Sequence, residues 1–141
     1  MRNAGIAAGL IVGLGAGAAQ AMMPPEVYEQ ARASAPLHLV VEIVAVEPAD
    51  AAIGTCSIDA VVVETLRDAT GSVDAGDPVS FAVDCLRADA DPNMIPDCVI
   101  FQNVEALLAG VQMDVYLDTD LFGYSLVLGQ ARIVAPGGTG A

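Results

Sequence analysis

The chain has no lysine and no tryptophan, one histidine, three cysteines, three tyrosines and three phenylalanines. Its basic residues are five arginines set against 18 acids, for a net charge of −13. A surface of that sign repels phosphate backbones, which excludes nucleic acid as a partner, and it disfavours docking on anionic lipid. It suits solubility, a cationic partner or a divalent ion. With a single histidine, any His-based metal site or Ser/His/Asp relay must be built on His38 alone. The three cysteines form no Cys-x-x-Cys pair, so thiol oxidoreductase chemistry is excluded. Zinc spacing, a phosphate loop and a nucleophile elbow are also missing from the sequence, as is any internal repeat.

What is present begins with a leader. Arg2 supplies a positive start, residues 4–19 are uncharged and apolar, and Ala19-Gln20-Ala21 fits the small-x-small cleavage rule. Residues 1–21 therefore read as a signal peptide, with a mature chain starting at Met22. The rival reading is a retained anchor, because Gly5, Gly9, Gly13 and Gly17 recur at the four-residue spacing that lets membrane helices pack. The apolar run is short for a bilayer, which needs about 20 residues. No cysteine follows the cleavage point, so a lipid anchor is not expected. Taking 21 residues from 141 leaves 120, enough for one core, with four arginines against 18 acids and a net charge of −14. The expected compartment is periplasmic or secreted, with no membrane contact after cleavage.

Residues 22–36 predict a short helix: Pro24-Pro25 suits its start, Glu26 and Glu29 its first turns, and Pro36 stops it. Val27, Ala31 and Ala35 give it a narrow apolar stripe. From residue 37 the period changes to two. Leu37, Leu39, Val41, Ile43 and Ala45 alternate with a more polar set that includes His38 and Glu42, the pattern of a strand with one face in a core. Three later stretches repeat it: Cys56 to Leu66, Pro78 to Cys85 and Val111 to Asp118. A fifth strand starts at Tyr124, and a change of apolar phase at Gly129 predicts a bulge there. Asn103 to Gly110 predicts a one- or two-turn helix, with Asn103 as cap and Gly110 as stop. In the second and third strands, residues whose numbers sum to 141 match inward with inward: Val62 with Val79, Ala60 with Phe81, Ile58 with Val83, Cys56 with Cys85. Residues 135–141 are expected to be a disordered tail.

Five strands with a small helix between the third and fourth give the expected fold: a mainly β, five-stranded OB-like antiparallel barrel over residues 37–134, with a small β-sandwich as the alternative. The cadence Cys56…Val61-Val-Val-Glu64, Gly76-Asp-Pro-Val79, Val115-Tyr-Leu117 and Gly123-Tyr…Gly129-Gln130 resembles small secreted barrels of the netrin-like type, a group that includes the N-terminal domain of tissue inhibitors of metalloproteinases. That resemblance implies an OB-type barrel over roughly Leu37 to Val134. It does not carry inhibition, because those proteins use a mature N-terminal cysteine and this chain would open on Met22. The chain is closer to short uncharacterised bacterial secreted proteins that open on a Met-Pro-Pro-Glu-type helix, and these lend no activity.

Three cysteines in an exported chain predict one disulfide. Cys56–Cys85 is the pair the register implies, and Cys85–Cys98 is the alternative that staples the loop between them. Asp89, Asp91 and Asn93 match the first half of a calcium loop, but Met94 stands where that motif needs glycine and Ile100 where it needs a bidentate glutamate. Asp118 and Asp120 form a further acidic pair. Glu64 is patterned inward, where a buried carboxylate is a candidate acid or base. His38 reads as an edge or surface residue. Tyr116, Phe122 and Tyr124, with Met94, are candidate contact residues inside an acidic rim. The expected function is therefore a non-catalytic exported binding module for an unknown protein or small ligand, with no cofactor. A small enzyme or acidic-loop metal protein and a protease-inhibitor-like barrel are the alternatives.

Overall fold

The computed structural model describes residues 23–97, 99–121 and 123–134. The proposed leader, Cys98, Phe122 and the tail 135–141 lie outside the described residues. One α-helix, α1 (Pro25–Ser34), precedes six strands: β1 (Leu37–Glu47), β2 (Ile53–Asp68), β3 (Pro78–Leu86), β4 (Gln102–Asn103), β5 (Gln112–Asp120) and β6 (Gly123–Ile133). They make one sheet in the order β4-β3-β2-β1-β5-β6. The mainly β, barrel-like expectation holds, with a curled half-barrel sheet in place of a closed ladder. β3 and β6 approach each other across the open seam without pairing. There, Gln102 Nε2 donates to the Ala131 carbonyl at 3.0 Å.

β1 sits inside the sheet because its alternation buries one face completely. Leu37, Leu39, Val41 and Ile43 are all at most 1% exposed, and both neighbouring strands pair with it. Cys56, Ile58, Ala60 and Val62 from β2, Val79, Phe81, Val83 and Cys85 from β3, and Met113, Val115 and Leu117 from β5 join them in the core, with Val73 and Leu107 from outside the strands. Among the described residues, no polar side chain is buried with them. β6 adds only half-buried residues, among them Tyr124, Leu126 and Ile133.

Several expectations need correction. The helix expected over residues 103–110 is a single 3-10 turn, Val104–Ala106, and the two-residue β4 just before it is an additional strand. The β2–β3 partners are Cys56 with Val83, Ile58 with Phe81 and Ala60 with Val79, so the pairing sum is 139 and not 141. A two-residue slide keeps every inward residue inward, so hydrophobic parity cannot distinguish the two registers. Polar contacts do. In the observed register Asp59 faces Ser80, whose hydroxyl donates to Asp59 Oδ1 at 2.6 Å. Gly54 faces Cys85, and a Cβ on Gly54 would lie 2.8 Å from the Ala49 side chain.

Glu64 is exposed, because β-bulges reset the parity of β2. The β1 partners skip Val63 and Leu66 on β2, and the β2 partners skip Val44 on β1. Each skipped residue turns outward: Val63 is 40% exposed, Leu66 48% and Val44 55%. After Val63, Glu64 pairs with Val40 on the outer face, and the half-buried Thr65 takes the inward place opposite Leu39. With Glu64 outside, the burial on which its acid–base candidacy rested is gone.

The disulfide is Cys56–Cys85, with a Cα–Cα distance of 5.9 Å; since Cys85 is its partner in that bond, the Cys85–Cys98 alternative is ruled out. Joining residues 29 apart removes loop entropy from the unfolded chain worth about 3.5 kcal/mol. The double variant Cys56→Ala/Cys85→Ala should lose about that much stability in urea unfolding; a loss under about 1 kcal/mol would show that the bond constrains little.

The turn after β2 is organised by Asp68. Its carboxylate accepts from the Thr70 hydroxyl and from the backbone N–H groups of Thr70, Gly71 and Val73. The Thr70 hydroxyl bond, followed by the Val73 amide bond, holds the Asp68 pKa below 3.8. A depressed carboxylate pKa stabilises the fold fully above the unfolded value and loses that effect as pH falls through the folded value. Acidification below 3.8 should therefore release amide protection at Thr70, Gly71 and Val73 before β1 opens. Asp68→Asn should abolish that pH dependence, as read by hydrogen exchange.

Candidate functional site

The outer face of the sheet, opposite the core, carries the densest group of functional side chains. His38 projects there from β1, directly across from Tyr116 of β5 and diagonal to Asp114. The His38 and Tyr116 rings stack at 4.0 Å, 15° from parallel. His38 Nε2 donates to Asp114 Oδ1 at 2.5 Å, and both side chains are under one-fifth exposed. Arg132 of β6, opposite Asp114, approaches Oδ2 at 3.3 Å and is itself 80% exposed. His38 thus lies on an interior strand, which corrects the edge reading.

The helix is tied to the same face by two arginines. Arg67, opposite His38 on β2, donates through one guanidinium nitrogen to the carbonyls of Arg32 at 2.7 Å and Ala35 at 2.9 Å. These are carbonyls at the helix end with no partner inside the helix, where a cation is favoured. Arg32 then points along the sheet and donates to Gln130 Oε1 at 2.8 Å.

Gln130 is in place because β6 bulges as expected near Gly129. Leu117 pairs with Leu126 and Val115 with Ala131, so Tyr116 faces the four residues 127–130. Leu128 and Gly129 hold φ values of +48° and +68°. Gly129 adopts such a conformation freely, whereas Leu128 is strained by about 1–2 kcal/mol. Arg32, Ile100, Asp114, Tyr116, Gln130 and Arg132 border a cleft of about 370 Å³ whose wall includes Gly129.

Among the described residues singled out from sequence, only Tyr116 lines this cleft. Tyr124 packs partly against the core from β6. Met94 is exposed in the 3-10 turn Pro92–Met94. Asp89 accepts from Arg87 Nε and Nη2, at 2.9 and 3.1 Å, and Asp91 accepts the Asn93 amide as the cap of that turn. Asp118 accepts the amide of Thr119. Among the described residues, no group of three or more His, Cys, Asp or Glu side chains is placed to hold a metal ion. A smaller hollow of about 230 Å³ overlies the seam, between Asp84 and the Tyr124–Leu126 segment.

Arg32, Asp114, Gln130 and Arg132 were not singled out as site residues from the sequence. The alternation of both strands does put His38, Asp114 and Tyr116 on outward faces, but their meeting depends on the β1–β5 register. Compared with known proteins, the chain matches no family profile and no curated sequence. No helix of the described residues is long and apolar enough to cross a membrane, and the disulfide fits an oxidising compartment.

The two partners of Asp114 should differ in weight. Asp114→Ala leaves the enclosed His38 Nε2 without its acceptor and should cost about 1–2 kcal/mol. Arg132→Ala removes a solvent-exposed pair and should cost under about 0.5 kcal/mol. Equal losses in denaturant unfolding would contradict this ordering.

Proposed function

We propose that the protein is a non-catalytic binding module of the periplasm or the secreted fraction, exported by residues 1–21 and working through the cleft between α1 and the β6 bulge. The observation that carries this reading is the cleft itself: about 370 Å³, within the range of small-ligand sites, with charged and polar groups converging from α1, β5 and β6. Its floor is a hydrogen-bonded sheet and its wall at Gly129 adjoins the strained Leu128, a cost that tends to collect near functional positions. Among the described residues its lining holds no serine, threonine or cysteine, so the aliphatic hydroxyl or thiol that a His–Asp pair commonly activates is not among them. His38 and Asp114 serve here to fix Tyr116 and Arg132. The leader and the disulfide support the exported compartment.

Amide NMR of the folded, oxidised protein against a mixed set of small anionic, neutral and cationic fragments tests the reading. Perturbations should concentrate at Arg32, Tyr116 and residues 129–132. Perturbations confined to the seam around Tyr124–Leu126, or none at the cleft from any fragment, would overturn it.

A further inference from the structure

Arginine is scarce in this chain, and three of the four described arginines come to one place. Arg32 arrives from α1, Arg67 from β2 and Arg132 from β6, on a protein carrying 18 acids. They are not equivalent. Arg67 is committed to the carbonyls at the end of α1. Arg32 and Arg132 line the cleft, and the contacts described for them are one neutral acceptor, Gln130, and one oxygen of Asp114. A guanidinium presents five donors in a planar fork, so both retain capacity for a ligand. Among the described residues Asp114 is the one acid of the lining, and it balances one of the two guanidinium charges. The cleft therefore keeps a single positive charge while the chain as a whole is at −13.

We infer that the cleft takes a small organic monocarboxylate, an inference that rests on reading it as a binding site. A planar carboxylate matches the guanidinium fork with two parallel hydrogen bonds. One negative charge satisfies the one uncompensated positive charge; a phosphate or a polycarboxylate would bring excess charge into the field of the surrounding acids. Ile100 and Tyr116 give the uncharged body of the ligand an apolar and aromatic surface. Such a carboxylate is supplied equally by a free organic acid or by the C-terminus of a peptide.

The test uses the folded, oxidised protein with benzoate, its neutral isostere benzamide, N-acetylphenylalanine as a mimic of a peptide end, and inorganic phosphate. Binding is followed by amide and arginine side-chain NMR. Benzoate or N-acetylphenylalanine should shift Arg32, Arg132 and Tyr116 at millimolar concentration, and the tighter of the two identifies the source. Benzamide should bind at least about ten-fold more weakly, as should benzoate to Arg32→Gln and Arg132→Gln. Arg87→Gln, in a pair away from the cleft, should leave affinity unchanged, and retained amide dispersion verifies that each variant is folded. Benzamide or phosphate matching benzoate at the cleft would overturn the monocarboxylate assignment while leaving the cleft a binding site. Carboxylates that shift nothing there also overturn it, and only silence of the neutral and cationic fragments as well removes the site itself.

Discussion

The fold depends on how β2 bends around β1. β2 pairs with β1 through residues 57–68 and with β3 through residues 53–61, so its 16 residues run past both neighbours. The ladder with β1 is interrupted where Val63 and Leu66, and Val44 on β1, drop out of it. Each bulge adds twist and bends the sheet. The curl brings β3 round towards β6 and closes a dry core over β1. Exposing three apolar side chains is the cost, and each is the residue that steps out of register. The Cys56–Cys85 bond then ties β2 to β3 inside that core.

The same curvature determines where charge can gather. On the convex side, β1, β5 and β6 present His38, Tyr116, Asp114 and Arg132 within reach of one another, although His38 and Asp114 are 76 residues apart in sequence. The half-buried His38 and Asp114 satisfy each other, as side chains withdrawn from water must. Arg67 anchors the helix, and the helix carries Arg32 to the cleft. A chain with so few cations thus uses one to build the site and two to line it.

Much of this was legible from residues alone, and the limit is physical. Alternation located every long strand, because burial on one face imposes a period of two. It gave the partner of Cys56 for the same reason: both cysteines face inward, and a diagonal pair bridges as readily as a direct one at 5.9 Å. It could not give the register, since a slide of two residues leaves every apolar contact type unchanged, and the Asp59–Ser80 bond is too small a signal to stand out in advance. Nor could it foresee that Glu64 turns outward. Val61, Val62 and Val63 are alike in sequence, and nothing in that run marks Val63 as the one that steps out of the ladder between the Val40–Glu64 and Val41–Val62 pairs. The cleft was illegible for a related reason: its arginines are separated in sequence, and only the β6 bulge and the capped helix bring them together.

The β6 bulge shows why glycine alone was a partial signal. Gly129 marks the place where the chain needs a positive φ, and the shift in apolar phase around it was readable. Leu128 takes up a positive φ as well, and nothing about leucine announces that. A strained leucine persists only where its neighbours over-determine the backbone. Here Leu126 and Ala131 are fixed by their pairing with β5, and a Cβ added at Gly129 would lie 3.6 Å from the Ile100 side chain. Four residues must cross the distance opposite one, so the segment has to lift off the sheet. Lifting it presents Gln130 to Arg32 and leaves the hollow above Tyr116. The strain at Leu128 is thus a consequence of the geometry that makes the cleft, and relieving it by regular pairing would close the cleft.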